Sequence, residues 1–174
     1  EPDALARGAD LSLGPARAEL PEHATSLLGT LEWVVLARRE HPARRRFDAR
    51  AWAHYPHVQV ATGSGGPSLV DAGLARARAS RTIGAVGPGF PLAPGGGARA
   101  DAFFTAPREL VGPLAERLGL ACLEPPVPID PVPVAALWHQ RVHADPAHVW
   151  FRGVVVRVVV AALTERRAAR RRRR

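Results

Sequence analysis

Three histidines, two tryptophans, two arginines and an aspartate crowd into the sixteen residues LWHQRVHADPAHVWFR, positions 137–152. Imidazole binds transition metals and moves protons near neutral pH, so His139, His143 and His148 are the first candidates for chemistry. Their spacing argues against a metal. Ligand pairs on a helix sit four apart, whereas His143 and His148 are five apart and the helix here begins only at Asp145. Neither HExxH nor a paired cysteine accompanies them. A structural role explains more residues. Asp145 followed by Pro146 is a helix start, the carboxylate capping free amides and proline occupying the first turn where no donor is needed. Trp150, Phe151 and Val154 are then expected on one helical face, packed on a sheet. Trp138 ends the preceding strand, and His139 and Arg141 are placed to satisfy carbonyls at its end.

A second candidate is TGSGGPS, residues 62–68. It lacks the GKS or GKT ending of a phosphate loop, and no GxGxxG is present. A Gly/Ser loop between a strand and a helix still offers amide and hydroxyl donors at a helix amino terminus, which suits a carboxylate or another small anion. A plain tight turn competes, and the residues leave both readings open. Ser64 and Ser68 lack the GxSxG setting of a serine nucleophile. Asp101 and Thr105, flanking Phe103-Phe104, read as a cap and a core strand. Phe90, in the turn GPGF, is either the wall of a cleft or a loop anchor. Cys122 lies in the apolar run LGLACL and reads as a buried, inert thiol; a single cysteine excludes an internal disulfide and a multi-cysteine zinc site.

The elements that position these residues alternate along the chain. A helix end stopped at Gly8 leads into a short strand closed by Gly14-Pro15. LEWVVLARREHP is a strand running into a polar loop, and DARAWAHYP a short helix capped by Asp48. HVQVA (57–61) is a strand, LVDAGLARARA a helix with Leu69, Val70, Gly73, Leu74 and Ala77 on its apolar side, and RTIGAVGP a strand. GFPLAPGGGARA is a loop. DAFFTAP is strand-like, and RELVGPLAERLGL an amphipathic helix with Leu110, Leu114 and Leu118 as its stripe, faulted by Pro113. CLEPPVPIDPVP crosses in extended form to the strand VAALWH and the final helix. No element is assigned to residues 16–30. Strands alternating with helices predict an α/β protein with mainly parallel sheets.

With 174 residues and 47% apolar content, the chain can bury one substantial domain or two small lobes. Its net charge of +8 is carried by arginine alone and concentrated in Arg44-Arg45-Arg46 and the terminal RRAARRRRR. Without that terminal run the remainder is close to neutral. The run reads as a solvated, disordered tail rather than a nucleic-acid reading head. GVVVRVVVAAL is shorter than the roughly 20 apolar residues a bilayer needs and is interrupted by Arg157, so no membrane partner is expected. No signal peptide is recognisable, and the chain starts at Glu1, as expected of a later part of a longer protein.

Taken in order, DLSLGP, LEWVVLARREHP, HVQVATGSGG with VDAGL, RTIGAVGPGF, ADAFFTAPREL, the proline-rich crossing and WHQRVHADPAHVWFR resemble the effector-binding domain of LysR-type transcriptional regulators, across residues 3–160. The closing WHxR…DPxHxWfR pattern, carried here by Trp138, His139, Arg141, Asp145, Pro146, His148, Trp150 and Arg152, is most similar to the branch of nodulation and aromatic-degradation regulators. The resemblance implies an α/β fold of the type 2 periplasmic-binding-protein kind. Its two lobes would be residues 1–56 with 134–163, and 57–133, followed by an arginine-rich tail at 164–174. The first lobe would lack its opening strand–helix–strand, and the winged helix-turn-helix would be absent.

An effector cleft is implied between the lobes, lined by Thr62, Gly63, Ser64, Gly65 and Gly66 and by Pro88, Gly89 and Phe90. Trp138 and His139 match the return crossing into the first lobe. A small organic effector, aromatic or carboxylate, is the implied partner. Homo-oligomers and DNA contact would belong to the full-length regulator, in the cytoplasm, with no catalysis, cofactor or metal. A transporter's solute-binding protein is the alternative, and a small metal-dependent hydrolase using the histidines a remoter one.

Overall fold

A computed structural model describes residues 5, 8–16, 21–60, 68–87 and 101–172. The chain divides into two compact units, Glu1–Leu31 with Val132–Arg174, and Glu32–Pro131. The sequence places the boundaries at 56/57 and 133/134. The first differs because residues 33–38 hydrogen-bond into the second unit's sheet, a long-range pairing that local pattern does not carry.

In the first unit, β1 (Ser12–Pro15) and β2 (His23–Leu31) flank β8 (Val132–His139), both antiparallel to it. Gly8 turns the chain into this region at φ 96°; the helix end expected before it lies mostly outside the described residues. β2 is the strand that the sequence did not reveal. Its residues, HATSLLGTL, carry no β-branched apolar run, and a bulge at Leu27/Gly29 breaks their alternation. The last helix, α4 (Pro146–Arg172), packs Val156 and Val159 against Leu28, Ala136 and Trp138.

Three expectations about α4 are corrected. Trp150 is 70% exposed and Phe151 is exposed, because the inward face is instead set by His148, Val156 and Val159, spaced at helical intervals. Residues 164–172 continue the helix rather than forming a disordered tail; alanine and arginine both favour helix, and α4 is already nucleated upstream. By length and composition alone, Pro146–Arg166 is also apolar enough to cross a membrane, since Val149, Trp150 and Phe151 extend the short valine run.

In the second unit a five-stranded sheet has the order β5-β4-β6-β3-β7, formed by β3 (Trp33–Arg38), β4 (His57–Val60), β5 (Ile83–Gly87), β6 (Phe103–Pro107) and β7 (Leu120–Leu123). Only the β4–β5 and β4–β6 ladders are parallel; β3 runs antiparallel to both β6 and β7. This sheet is therefore mixed and that of the first unit antiparallel, where helix–strand alternation predicted mainly parallel ones. β6 is buried along its whole length, as a central strand with both faces covered must be.

Alternation along β3 and β6 sends Val34, Leu36, Phe104 and Ala106 to one face, against Val111 and Ala115 of α3 (Arg108–Arg117). Val35, Ala37 and Phe103 go to the other, with Trp52 of α1 (Ala49–His54) and Val70 and Leu74 of α2 (Leu69–Arg76). The leucine stripe expected on α3 is outward: Leu110 and Leu118 are exposed, and Val111 and Ala115 are the buried pair. Leucine size misleads there, because close approach to the sheet selects small residues. α3 ends at Arg117 with Leu118 as its cap, and Gly119 at φ 65° turns the chain into β7, which carries an exposed Cys122 rather than a buried one. Desolvation of its thiol nonetheless holds the pKa above the ordinary value.

Candidate functional site

The residues expected to line the effector site, Thr62, Gly63, Ser64, Gly65 and Gly66 with Pro88, Gly89 and Phe90, lie outside the described residues. What frames them is described. β4 ends at Val60, and α2 starts behind Ser68, whose hydroxyl accepts from the Asp71 amide at 3.1 Å. Ser68 is thus the cap of α2, and not a free nucleophile. β5 ends at Gly87, next to the second candidate turn.

Under this amino end sits an arginine that motif reading passed over. The Arg81 side chain is only 4% exposed. Its Nε donates to Asp71 Oδ1 at 2.8 Å, and Nη2 donates to Gln59 Oε1 at 3.1 Å and to Ser68 Oγ at 3.2 Å. Ser68 Oγ in turn donates to Asp71 Oδ2 at 2.6 Å. A buried guanidinium is tolerated when its charge is paired and its donors find partners; the charge is paired with Asp71, and Nε and Nη2 both donate. Desolvation works to raise the Asp71 pKa. Hydrogen bonds from Arg81 and Ser68, with the charge of Arg81, overcome it and hold the carboxyl below its ordinary value. The sequence did carry a signal for part of this network: Ser68-Leu-Val-Asp71 is a serine followed three residues later by an acid at a helix start.

Beside it lies a ring cluster on Phe103. His41 stacks on Phe103 with centroids 4.3 Å apart, Phe47 lies at 5.1 Å, and His57 at 5.7 Å. His57 is fully buried; its Nε2–H donates to the Trp52 carbonyl at 2.7 Å, and burial pushes its pKa down to about 4. Burial also lowers that of His41, whose Nδ1 accepts from the Ala43 amide. Both rings are packing groups held neutral. Asp101 is neither a cap nor a ligand: its carboxylate accepts from Arg38 Nε at 2.7 Å, which holds its pKa below the usual range. Thr105 is a buried core residue of β6.

The histidine-rich stretch resolves into separate structural tasks. Asp145 caps α4, accepting from the His148 amide at 2.8 Å, and Pro146 begins the helix. Trp138 donates from Nε1 to His143 Nδ1 at 3.3 Å and stacks on that ring. Arg152 lies 4.8 Å over the Trp138 ring and donates to the His143 carbonyl at 2.7 Å and to His148 Nδ1 at 3.1 Å. A guanidinium only donates, so His148 carries its proton on Nε2 and gives it to the Asp10 carbonyl at 2.9 Å. His139 accepts from the Arg141 amide through Nδ1. Among the described residues, no group of three or more His, Cys, Asp or Glu is placed to hold a metal ion.

A mixed α/β chain in two units, with a strand and helix of the first unit following the whole of the second, is the arrangement of type 2 periplasmic-binding-protein-like folds. The chain belongs to the LysR substrate binding domain family, whose model matches residues 2–159, and these are the effector-binding domains of LysR-type transcriptional regulators. It is similar to the HTH-type transcriptional activator NahR of Pseudomonas putida, 30% identical over 121 residues, which is 69% of this chain and 40% of NahR. The chain spans about half or less of the length of the curated relatives it matches.

Among solved structures, a transcriptional regulator from Vibrio parahaemolyticus superposes with TM-score 0.83 at 23% identity, over 95% of this chain and 77% of that one. The effector-binding domain of QuiR in complex with shikimate gives TM-score 0.74 at 18% identity, covering 90% and 75% of the two chains. That of BenM with its effector benzoate gives 0.64 at 15%, covering 92% and 73%. Likeness at that identity concerns the fold.

Proposed function

We propose that the chain is the sensing part of a LysR-type regulator and that its effector is a small organic carboxylate, held by Thr62, Gly63, Ser64, Gly65 and Gly66 with Pro88, Gly89 and Phe90. The observation that carries this reading is the amino end of α2, an eight-residue helix that directly follows the Gly/Ser segment in the sequence. The positive end of a helix dipole favours an anion there. The ligands named for QuiR and BenM, shikimate and benzoate, are both carboxylates, which supports the same chemistry here.

In this reading the effector biases a pre-existing equilibrium between conformations, and a separate DNA-binding domain of the regulator reads the outcome. The regulator works in the cytoplasm as a homo-oligomer and touches DNA only through that other domain. The sensing domain catalyses no reaction and needs no cofactor; α4 belongs to the first unit through its contacts with Leu28, Ala136 and Trp138. Family membership favours this over a transporter's solute-binding protein.

The test is calorimetric titration with a panel of aromatic and alicyclic carboxylates, each beside its neutral amide, on the wild type and on Phe90→Ala. Saturable binding of at least one carboxylate, weaker binding of its amide, and loss of affinity in Phe90→Ala at unchanged thermal stability are expected. Amides binding as well as acids would remove the carboxylate, and equal affinity of the variant would remove Phe90 from the site.

A further inference from the structure

We propose that the outward face of α4 docks the first unit on an anionic lipid surface, the helix lying along the headgroups rather than crossing them. The inference goes beyond the effector reading and does not depend on it.

α4 has two opposed faces. His148, Val156, Val159 and Leu163 recur at helical intervals and face the sheet. His148 Nε2 donates to the Asp10 carbonyl at 2.9 Å, Val156 and Val159 pack with Leu28, Ala136 and Trp138, and Leu163 Cδ1 lies over Gly29 of β2, 3.3 Å from where a Cβ would stand. From His148 to Leu163 the helix runs about 22 Å, so both ends of its apolar stretch are fastened to its own sheet. Standing upright in a bilayer would tear those contacts out.

On the opposite side Trp150, Phe151, Val154, Val158 and Ala161 follow at the same intervals. Trp150 is 70% exposed and Val158 63%, and Phe151 and Ala161 are exposed as well. Pro146–Arg166 is apolar enough for a bilayer, yet almost none of it is buried in the protein.

Charge selects the occupant of this face. α4 carries seven arginines and a single acid, Glu165, and the last five residues of the chain are all arginine. A second copy would cover the apolar residues only by bringing another seven arginines alongside, without acids to match them. An anionic bilayer offers apolar depth to Trp150, Phe151 and Val158 and phosphates to the arginines. Arg157, exposed on the same side, has a stem long enough to keep its charge at headgroup level. An indole at the interface and a cationic flank are the marks of helices that lie on membranes. Each arginine near an anionic surface strengthens the attachment.

Co-flotation of the full chain with vesicles tests this, using phosphatidylcholine alone and an equal mixture of phosphatidylcholine and phosphatidylglycerol. The chain is expected to float with the mixed vesicles and not with phosphatidylcholine alone, and to be released as salt rises toward about 1 M. Trp150→Ser, at an exposed position whose replacement leaves the core intact, should weaken binding about tenfold, and adding Val158→Ser should weaken it further. Val86→Ser, at an exposed apolar position of the second unit, should bind as the wild type does. Tryptophan emission should move to shorter wavelength on binding in the wild type and stay in place in Trp150→Ser. No flotation with mixed vesicles overturns the proposal. Flotation that Trp150→Ser and Val158→Ser leave unchanged also overturns it, assigning the attachment to the arginine run alone. Self-association that mixed vesicles do not reverse gives the face to a second copy, and retention through an alkaline wash makes α4 a spanning helix; either result contradicts docking.

Discussion

His57 shows how burial decides the role of a titratable residue. The ring is fully buried, donates to the Trp52 carbonyl, and has its pKa pushed down to about 4. Its folded-state value lies below the unfolded one of roughly 6.5, so the unfolded chain binds the proton more readily. Stability from this group is complete above about pH 6.5 and is lost as pH falls toward 4. The window corresponds to about 3 kcal/mol. Thermal melts between pH 7 and pH 4 should show the decline, and His57→Gln should flatten it. An equally steep acid limb in the variant would assign the effect elsewhere. At the same scale, Asp145→Ala removes the carboxylate that accepts from the His148 amide and should cost about 1 kcal/mol in chemical denaturation. This cap was legible because Asp-Pro at a helix start is a local, covalently adjacent signal. Of the Arg81 network only the Ser68–Asp71 spacing was legible, because Gln59 and Arg81 join that pair by folding rather than by spacing.

Elements were legible where one segment carries its own pattern. The compact run in β3, the Asp48 cap of α1 and the Asp145-Pro146 start of α4 are of this kind. They were illegible where the face depends on a partner, as with the outward leucines of α3 and the exposed Trp150 of α4. On α2 the inward face is set by proximity: a Cβ on Gly73 would lie 2.8 Å from the Pro128 carbonyl oxygen. Backbone cannot yield as a flexible side chain can, so Gly73→Ala should destabilise the protein by about 1–3 kcal/mol despite the better helix propensity of alanine; urea unfolding reads this directly. α4 exposes Val149, Trp150, Phe151 and Val158, and among the described residues β1 pairs only with β8. Exposed apolar surface favours association. Light scattering of the isolated chain should therefore show concentration-dependent self-association, reduced by Trp150→Ser; a monodisperse monomer at all concentrations would contradict this.

At the scale of the whole molecule, the order of motifs carried the family before any contact was known, because it is a property of the sequence itself. The division at Leu31/Glu32 was not legible, since it depends on β3 joining β6 and β7 across more than sixty residues of chain. The stretch densest in reactive side chains is a packed network of Trp138, His143, His148 and Arg152 in the first unit, while the candidate effector residues flank α2 and β5 of the second. Amide chemical shifts during a benzoate titration test that assignment most directly. The account predicts the largest changes at Ser68, Leu69, Val70 and Gly87, with the indole and imidazole signals of Trp138, His143 and His148 unmoved. Changes confined to residues 138–152 would contradict it.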